Sequence, residues 1–180
     1  MSLKTWPLFA AAAFLSFTLG CRQKEEAALR VGSDAPALNV ARWVKGDGPA
    51  GLEAGNVYVI EFWATWCPPC RDSIPHLTHL AHAYRDRVTF IGVSVWEQGS
   101  GQETEDHVDA FVSGMGDTMD YLVARDTESN TMADAWMRAA GQDGIPCAFI
   151  VDGNGKIAWI GHPMSSMEKE IDAVLAKADS

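Results

Sequence analysis

The clearest chemical signal in the sequence is a pair of cysteines, Cys67 and Cys70, separated by two prolines. They follow an apolar and aromatic run, Val57–Trp63, whose composition is typical of a buried strand. After Cys70 the apolar residues recur with helical spacing. The sequence therefore predicts a strand that leads two thiols to the first turn of a helix, where they can close a small disulfide ring. Such an arrangement indicates thiol–disulfide chemistry.

The position of Cys67 favours it as the nucleophile of the pair. It precedes or begins the predicted helix, where unpaired backbone N–H groups and the helix dipole stabilise negative charge on its sulfur. A stabilised thiolate is the attacking species. Cys70 lies one turn inside the helix, so we predict that it is the resolving thiol. Pro68 and Pro69 stiffen the ring and remove two backbone donors.

Glu61 is the one charged residue of the apolar run, six positions before Cys67. A buried carboxylate is costly unless it has a partner or a role. Desolvation would raise its pKa, which suits a proton acceptor for a thiol. The alternative is that Glu61 lies on a solvated face or makes a structural hydrogen bond.

The remaining pattern predicts an α/β domain. The order is strand, helix, strand, then an inserted segment, then helix, strand, strand and helix, which predicts a central sheet with parallel pairs and an antiparallel edge. Strands are predicted at 38–44, 57–63, 88–95, 121–124, 147–151 and 156–160, and helices at 68–85, 103–112, 129–140 and 165–178.

The first residues have the character of an export signal. Lys4 is followed by an apolar run over residues 6–19, too short for a membrane span of about 20 residues. Cys21 after a small residue resembles a bacterial lipoprotein signal, in which this cysteine carries the lipid; an uncleaved anchor and an ordinary cleaved signal are the alternatives. We assign residues 1–21 to the signal, 22–28 to a tether and 29–180 to the domain, on the periplasmic or cell-envelope side of a bacterial membrane.

At these motifs the sequence resembles the thioredoxin superfamily, and within it the TlpA/ResA-type tethered proteins. The resemblance rests on the stretch from Glu61 to Pro75, on Ile145-Pro146 before a strand, and on the export signal and mid-chain insertion. It implies a thioredoxin fold with an extra N-terminal strand and thiol–disulfide exchange by Cys67 and Cys70. It also makes Glu61 the buried acid and Trp66 the aromatic residue beside the nucleophile.

The resemblance further implies that Pro146 is a cis-proline. A cis bond makes a tight turn and denies a backbone N–H to the nearby thiols. Ile145 would then pair its backbone with an extended substrate peptide. The predicted substrate-contacting residues are Trp66, Pro68, Pro69, Ile145 and Pro146.

Cys147 departs from the family pattern, in which threonine is common at this position. It stands beside Pro146 and is either an auxiliary thiol or a small buried residue. Zinc binding by Cys67 and Cys70 would need two further ligands, and no second pair of this kind is present. We therefore expect no metal ion and no cofactor beyond the redox-active disulfide Cys67–Cys70.

The predicted function is an extracytoplasmic oxidoreductase that reduces or exchanges protein disulfides. Its expected partners are protein thiols and disulfides, a membrane or periplasmic electron donor, and the membrane through the N-terminal anchor. The net charge of −10 without a basic block argues against nucleic acid. The alternatives are a copper chaperone that uses both cysteines with His162 or Cys147, and a peroxiredoxin-like thiol peroxidase.

Overall fold

The central strand of the sheet is β2 (Val57–Trp63), and all seven of its residues are buried. Successive side chains of a strand point to opposite faces, so an apolar run without polar alternation fits a strand that is covered on both sides. The computed structural model describes residues 27–179. Within them β2 pairs parallel with β3 (Val88–Ser94) and antiparallel with β5 (Cys147–Val151).

Three shorter strands complete the sheet: β1 (Arg42–Lys45), β4 (Leu122–Arg125) and β6 (Ile157–Gly161). The six strands lie in the order β1-β4-β3-β2-β5-β6. β4 is parallel to β3 and antiparallel to β1, and β6 is antiparallel to β5. The predicted mixed sheet with parallel pairs and an antiparallel edge is confirmed.

Helices and irregular segments cover both faces of this sheet. One face is packed by three α-helices: α1 (Pro68–Ala83), α2 (Gly101–Met115) and α3 (Met167–Ala178). Their apolar residues form one buried cluster with Val59 and Trp63. The other face is packed by the segment before β1 and by a π-helical segment, Ala133–Arg138, which form a second cluster with Ile60 and Phe62.

Two elements differ most from the sequence-based prediction, and α2 is longer than the predicted 103–112. The first strand covers only Arg42–Lys45 instead of 38–44, because its partner β4 offers only four residues for pairing, and Leu38 packs into the second cluster instead. The helix predicted at 129–140 is helical over 131–138, mostly with π geometry. Its start is set by the buried Asp126 carboxylate, which accepts the backbone N–H groups of Met132 and Ala133.

The predicted signal segment with Cys21, and the tether up to residue 26, lie outside the described residues. Leu29 is buried, and its backbone N–H donates to the Ala139 carbonyl at 2.8 Å, so the chain is already packed on the second cluster at this point. Within residues 27–179 no helix is both long enough and apolar enough to span a bilayer.

Candidate active site

Cys67 and Cys70 form a disulfide bond at the first turn of α1, with an S–S distance of 2.02 Å. Cys67 is the N-cap residue, and Pro68 and Pro69 occupy the first helical positions, where a missing N–H costs nothing. The backbone N–H of Cys70 points at the Cys67 sulfur, with a nitrogen–sulfur distance of 3.2 Å. A helix start therefore directs positive dipole and one N–H donor at Cys67, as a thiolate at this sulfur requires.

The Ile145–Pro146 peptide bond is cis and lies against the disulfide. The Ile145 carbonyl oxygen is 3.7 Å from the Cys67 sulfur, although the two residues are 78 positions apart in the chain. The sheet register explains this approach. Phe62 of β2 pairs with Cys147 of β5, so the residues just before β5 meet the end of β2, where the chain turns toward Cys67.

Access to the disulfide is narrow. Cys67 is 2% exposed and Cys70 is fully buried. Around them Pro68 and Pro69 are exposed, and Trp66 is 43% exposed. The predicted substrate-contacting residues before and after Cys67 thus form the outer rim of the site, and a partner must approach across them.

The turn before Cys67 is held by Glu97, a residue that the sequence analysis did not single out. Its carboxylate accepts the backbone N–H of Thr65 at 2.8 Å, the Thr65 hydroxyl at 2.6 Å and the Ser94 hydroxyl at 2.6 Å. These charge-assisted hydrogen bonds tie the turn to the end of β3. Its position in the sequence could have indicated this role, because Glu97 follows β3 at the same edge of the sheet where Cys67 follows the parallel strand β2.

Trp96, beside Glu97, fixes the orientation of Trp66. The Trp66 indole N–H donates to the Trp96 carbonyl oxygen at 2.9 Å. Trp96 itself has φ of 54°, a left-handed conformation that bulky side chains rarely adopt. Strained backbone of this kind persists where surrounding contacts impose it, and here it aims a carbonyl at the rim of the active site.

Glu61 is 1% exposed, and neither of its carboxylate oxygens has a hydrogen-bond partner among the described residues. Its side chain lies on the same face of β2 as those of Val59 and Trp63, and α1 and the disulfide cover this face. Burial raises the pKa of Glu61 well above its ordinary value. Glu61 therefore does not lie on a solvated face, and it makes no structural hydrogen bond to another residue within 27–179, so neither of the two alternatives for this residue holds.

Cys147 is free, buried and turned away from the disulfide. It packs in the second apolar cluster with Phe62 and Phe149, whereas Cys67 and Cys70 belong to the first. Burial, and secondarily the charge of Glu61, raise the pKa of Cys147 to about 12. Its thiol therefore stays protonated at neutral pH, which fits the small buried residue better than the auxiliary thiol.

No three His, Cys, Asp or Glu side chains within residues 27–179 are grouped so that they could hold a metal ion. The set proposed for copper, Cys67 and Cys70 with His162 or Cys147, lies within this range and is not such a group.

Comparison with known proteins identifies the relatives of the chain. The family described as Redoxin matches residues 30–175. The thiol:disulfide interchange protein HelX of Rhodobacter capsulatus is 32% identical over 81% of this chain and 77% of HelX. Protein FixW of Rhizobium leguminosarum is 31% identical over 74% of this chain, and the alignment covers 61% of FixW.

A solved structure supports the fold. The crystal structure of a thiol:disulfide interchange protein of the thioredoxin family from Chlorobium tepidum has a TM-score of 0.57 and 23% identity, and the match covers 80% of this chain and 97% of that one. The thioredoxin fold predicted from the sequence is thereby confirmed.

Replacement of Glu97 tests its role in holding the active-site turn. Glu97→Ala leaves the Thr65 N–H and two hydroxyls without their acceptor, so we expect the free energy of unfolding to fall by about 1–3 kcal/mol. We also expect slower disulfide exchange, since the turn before Cys67 loosens. Urea unfolding and insulin reduction measure the two effects. Glu97→Gln, which keeps one acceptor oxygen, should lose less of both; equal stability in wild type and Glu97→Ala would contradict the assignment.

Cys147 should be inert in the folded protein. Iodoacetamide at pH 8, followed by peptide mass spectrometry, should label Cys147 only after unfolding in guanidinium chloride, because burial and its raised pKa both disfavour the thiolate. Cys147→Ala should keep insulin-reductase activity within about twofold, with a stability loss of about 1 kcal/mol from the small cavity. Rapid labelling in the folded state, or lost activity in the alanine variant, would restore the auxiliary-thiol role.

Proposed function

We propose that this chain, which belongs to the Redoxin family and is a thioredoxin-fold thiol–disulfide oxidoreductase, reduces or exchanges disulfides of extracytoplasmic proteins through Cys67 and Cys70. The observation that carries the proposal is the Cys67–Cys70 disulfide at a helix start, in contact with the cis Ile145–Pro146 bond. The disulfide is itself the redox group, so the reaction as proposed uses no further cofactor.

The reaction begins with reduced Cys67 as a thiolate. Its sulfur attacks one sulfur of the substrate disulfide, whose S–S bond breaks as the mixed disulfide forms, and one substrate thiolate leaves. The Cys70 N–H and the start of α1 stabilise the Cys67 thiolate before attack.

Cys70 then resolves the mixed disulfide. Its thiol gives a proton to the Glu61 carboxylate, and its sulfur attacks the Cys67 sulfur. The Cys67–substrate bond breaks, the second substrate thiolate leaves, and solvent supplies its proton. The substrate has gained two electrons and the cysteine pair has lost two, which leaves the Cys67–Cys70 disulfide that the structure contains.

In this proposal the substrate contacts the exposed residues around Cys67 and the backbone of the segment before Pro146. Trp66, Pro68 and Pro69 offer an exposed rim beside the sulfur, and Ile145 presents its backbone carbonyl next to it. An extended peptide that carries the target cysteine can lie along the segment before Pro146, as strand-like pairing requires.

The location and the electron donor are part of the proposal. The apolar run over residues 6–19 and Cys21 support export and lipid anchoring on the outer side of a bacterial membrane. Each turnover leaves the pair oxidised, so a dithiol donor in the membrane or the periplasm must return two electrons for the next reduction.

Single cysteine variants test the assignment of roles. Cys67→Ser should lower the rate of insulin reduction with dithiothreitol at least about a hundredfold, because the attacking sulfur is lost. Cys70→Ser should accumulate mixed disulfides with substrate, which non-reducing gels and mass spectrometry detect. Undiminished reduction by Cys67→Ser would refute the mechanism. Tight copper binding that is abolished by His162→Ala, in a protein without disulfide turnover, would favour the copper chaperone. Selective turnover of hydrogen peroxide would favour the thiol peroxidase.

Glu61→Gln tests the proton acceptor and gives opposite effects on activity and stability. We expect resolution of the mixed disulfide to slow about a hundredfold near neutral pH, where the Cys70 thiol needs a base. Stability changes the other way. Because the pKa of Glu61 is raised in the folded protein, the folded state holds more protons than the unfolded one, and the wild type loses stability as pH rises from the ordinary glutamate range through the raised value.

The glutamine variant removes this pH-dependent loss. Urea unfolding should therefore find Glu61→Gln more stable than the wild type at pH 8 and equally stable near pH 4. Glu103→Gln, an exposed position on α2, is the matched control and should change neither property. Unchanged resolution rates in single-turnover quench experiments with Glu61→Gln would remove Glu61 from the mechanism.

A further inference from the structure

Glu61 shares its face of the sheet with two other buried polar groups that have no hydrogen-bond partner. These are the Trp63 indole nitrogen and the Tyr121 hydroxyl. Together with the two Glu61 oxygens they are four buried atoms on this face that have no hydrogen-bond partner within residues 27–179. Buried polar atoms are normally paired, directly or through ordered water, because an unpaired group loses the hydrogen bonds it has with solvent. Several such atoms on one side of one sheet therefore call for a common explanation.

Gly92 brings these groups together. It lies in register with Glu61 on β2 and with Val123 on β4, so its position is directly beside Glu61 in the sheet. A Cβ atom at Gly92 would stand 3.0 Å from the Tyr121 ring and 3.1 Å from the Trp63 indole nitrogen. The two rings thus occupy the space that a side chain at 92 would take. The Tyr121 ring, from a residue two positions before Val123, thus lies over β3, the strand between β4 and Glu61.

The electrostatics agree with this proximity. Tyr121 is buried, and its pKa is raised well above the ordinary value, first by burial and then by the negative charge of Glu61. The phenol therefore keeps its proton through neutral pH and remains a donor. A donor beside a carboxylate stabilises the charged form of that carboxylate.

We propose that Tyr121 is a positioning residue of the active site, whose hydroxyl donates to the Glu61 carboxylate through one buried water and so sets the pH range in which Glu61 accepts the Cys70 proton. A bridging water fits because these atoms have no direct partner within residues 27–179 and a buried water needs two to four polar neighbours, which these groups supply. The inference rests on the proposed role of Glu61.

The other titratable groups on the elements around Glu61 divide into buried and exposed ones. Cys67 and Cys70 at the start of α1 and Cys147 of β5 are buried, and Arg125 of β4 is buried and paired with Glu105 at 2.7 Å. The charged and histidine side chains of α1 are exposed or half-buried: Arg71, Asp72, His76, His79 and His82. Burial is the cause of the raised pKa of Glu61, without a contribution from a neighbouring charge. A neutral donor such as Tyr121 therefore lowers the pKa of Glu61 by offsetting desolvation, and it does not have to offset a neighbouring ion.

The test is Tyr121→Phe, which removes one oxygen and keeps the ring. The carboxyl carbon of Glu61, labelled with 13C and assigned by its loss in Glu61→Gln, should titrate about one pH unit higher in the variant, the size expected for one hydrogen bond to a charged group. The acid limb of the single-turnover resolution rate should move by the same amount. Below that limb the variant is then about tenfold slower, and above it the rates agree.

Tyr58→Phe is the matched control. Tyr58 is a buried tyrosine of the second cluster, and its hydroxyl accepts the Glu53 backbone N–H, so its loss should leave the Glu61 titration unchanged. In a Glu61→Gln background, Tyr121→Phe should add no further slowing. Gly92→Ala gives a second route, since the added methyl group pushes the Tyr121 ring away and should also raise the Glu61 titration.

The outcomes are separable. Equal Glu61 titrations in wild type, Tyr121→Phe and Gly92→Ala would overturn the role of Tyr121 even if Glu61 proves essential. A full resolution rate in Glu61→Gln would overturn the proposed proton acceptor, while the carboxyl titration would still report whether Tyr121 acts on Glu61.

Discussion

The active site depends on one piece of backbone pairing, the antiparallel register between β2 and β5. Because Phe62 pairs with Cys147, the cis Ile145–Pro146 bond meets the end of β2, where the chain turns into the disulfide. A shift of one residue in this register would turn every side chain of β5 to the opposite face and carry the Ile145 carbonyl away from Cys67. The burial of both strands on both faces makes such a shift costly, so the fold itself guarantees the contact between two segments far apart in sequence.

The same burial creates the main energetic conflict in the molecule. Glu61 lies in the middle of a fully buried strand, and no other group within residues 27–179 makes a direct hydrogen bond to its carboxylate, so it opposes folding whenever it is ionised. A strand selected only for stability would carry an apolar or amide side chain at this position. The conflict is understandable if proton transfer from a buried thiol needs a base that solvent cannot reach, since Cys70 is itself fully buried. Functional sites are where such local costs are expected.

The sequence allowed the central strand and the chemistry of the cysteine pair to be predicted, because these depend on local patterns: an apolar run, and two thiols two residues apart at a helix start. Residues whose roles arise from tertiary contacts were not found. Glu97 looks like an ordinary loop glutamate until the turn of Thr65 lies against it, and Tyr121 looks like a strand-edge aromatic until Gly92 leaves room for its ring. The first strand was misplaced for a related reason, since the length of its partner decides where an edge strand pairs.

The rim of the site limits how a partner can be recognised. Pro68 and Pro69 have no backbone N–H to donate, and the Trp66 indole N–H already donates to Trp96. These three residues beside Cys67 therefore offer mainly apolar contact, and the Ile145 carbonyl oxygen lies 3.7 Å from the Cys67 sulfur. Recognition that uses peptide backbone and a fixed aromatic ring is nearly independent of the partner's side chains. If a substrate is recognised in this way, selectivity comes from how an extended segment with its disulfide is presented to Cys67, which is 2% exposed.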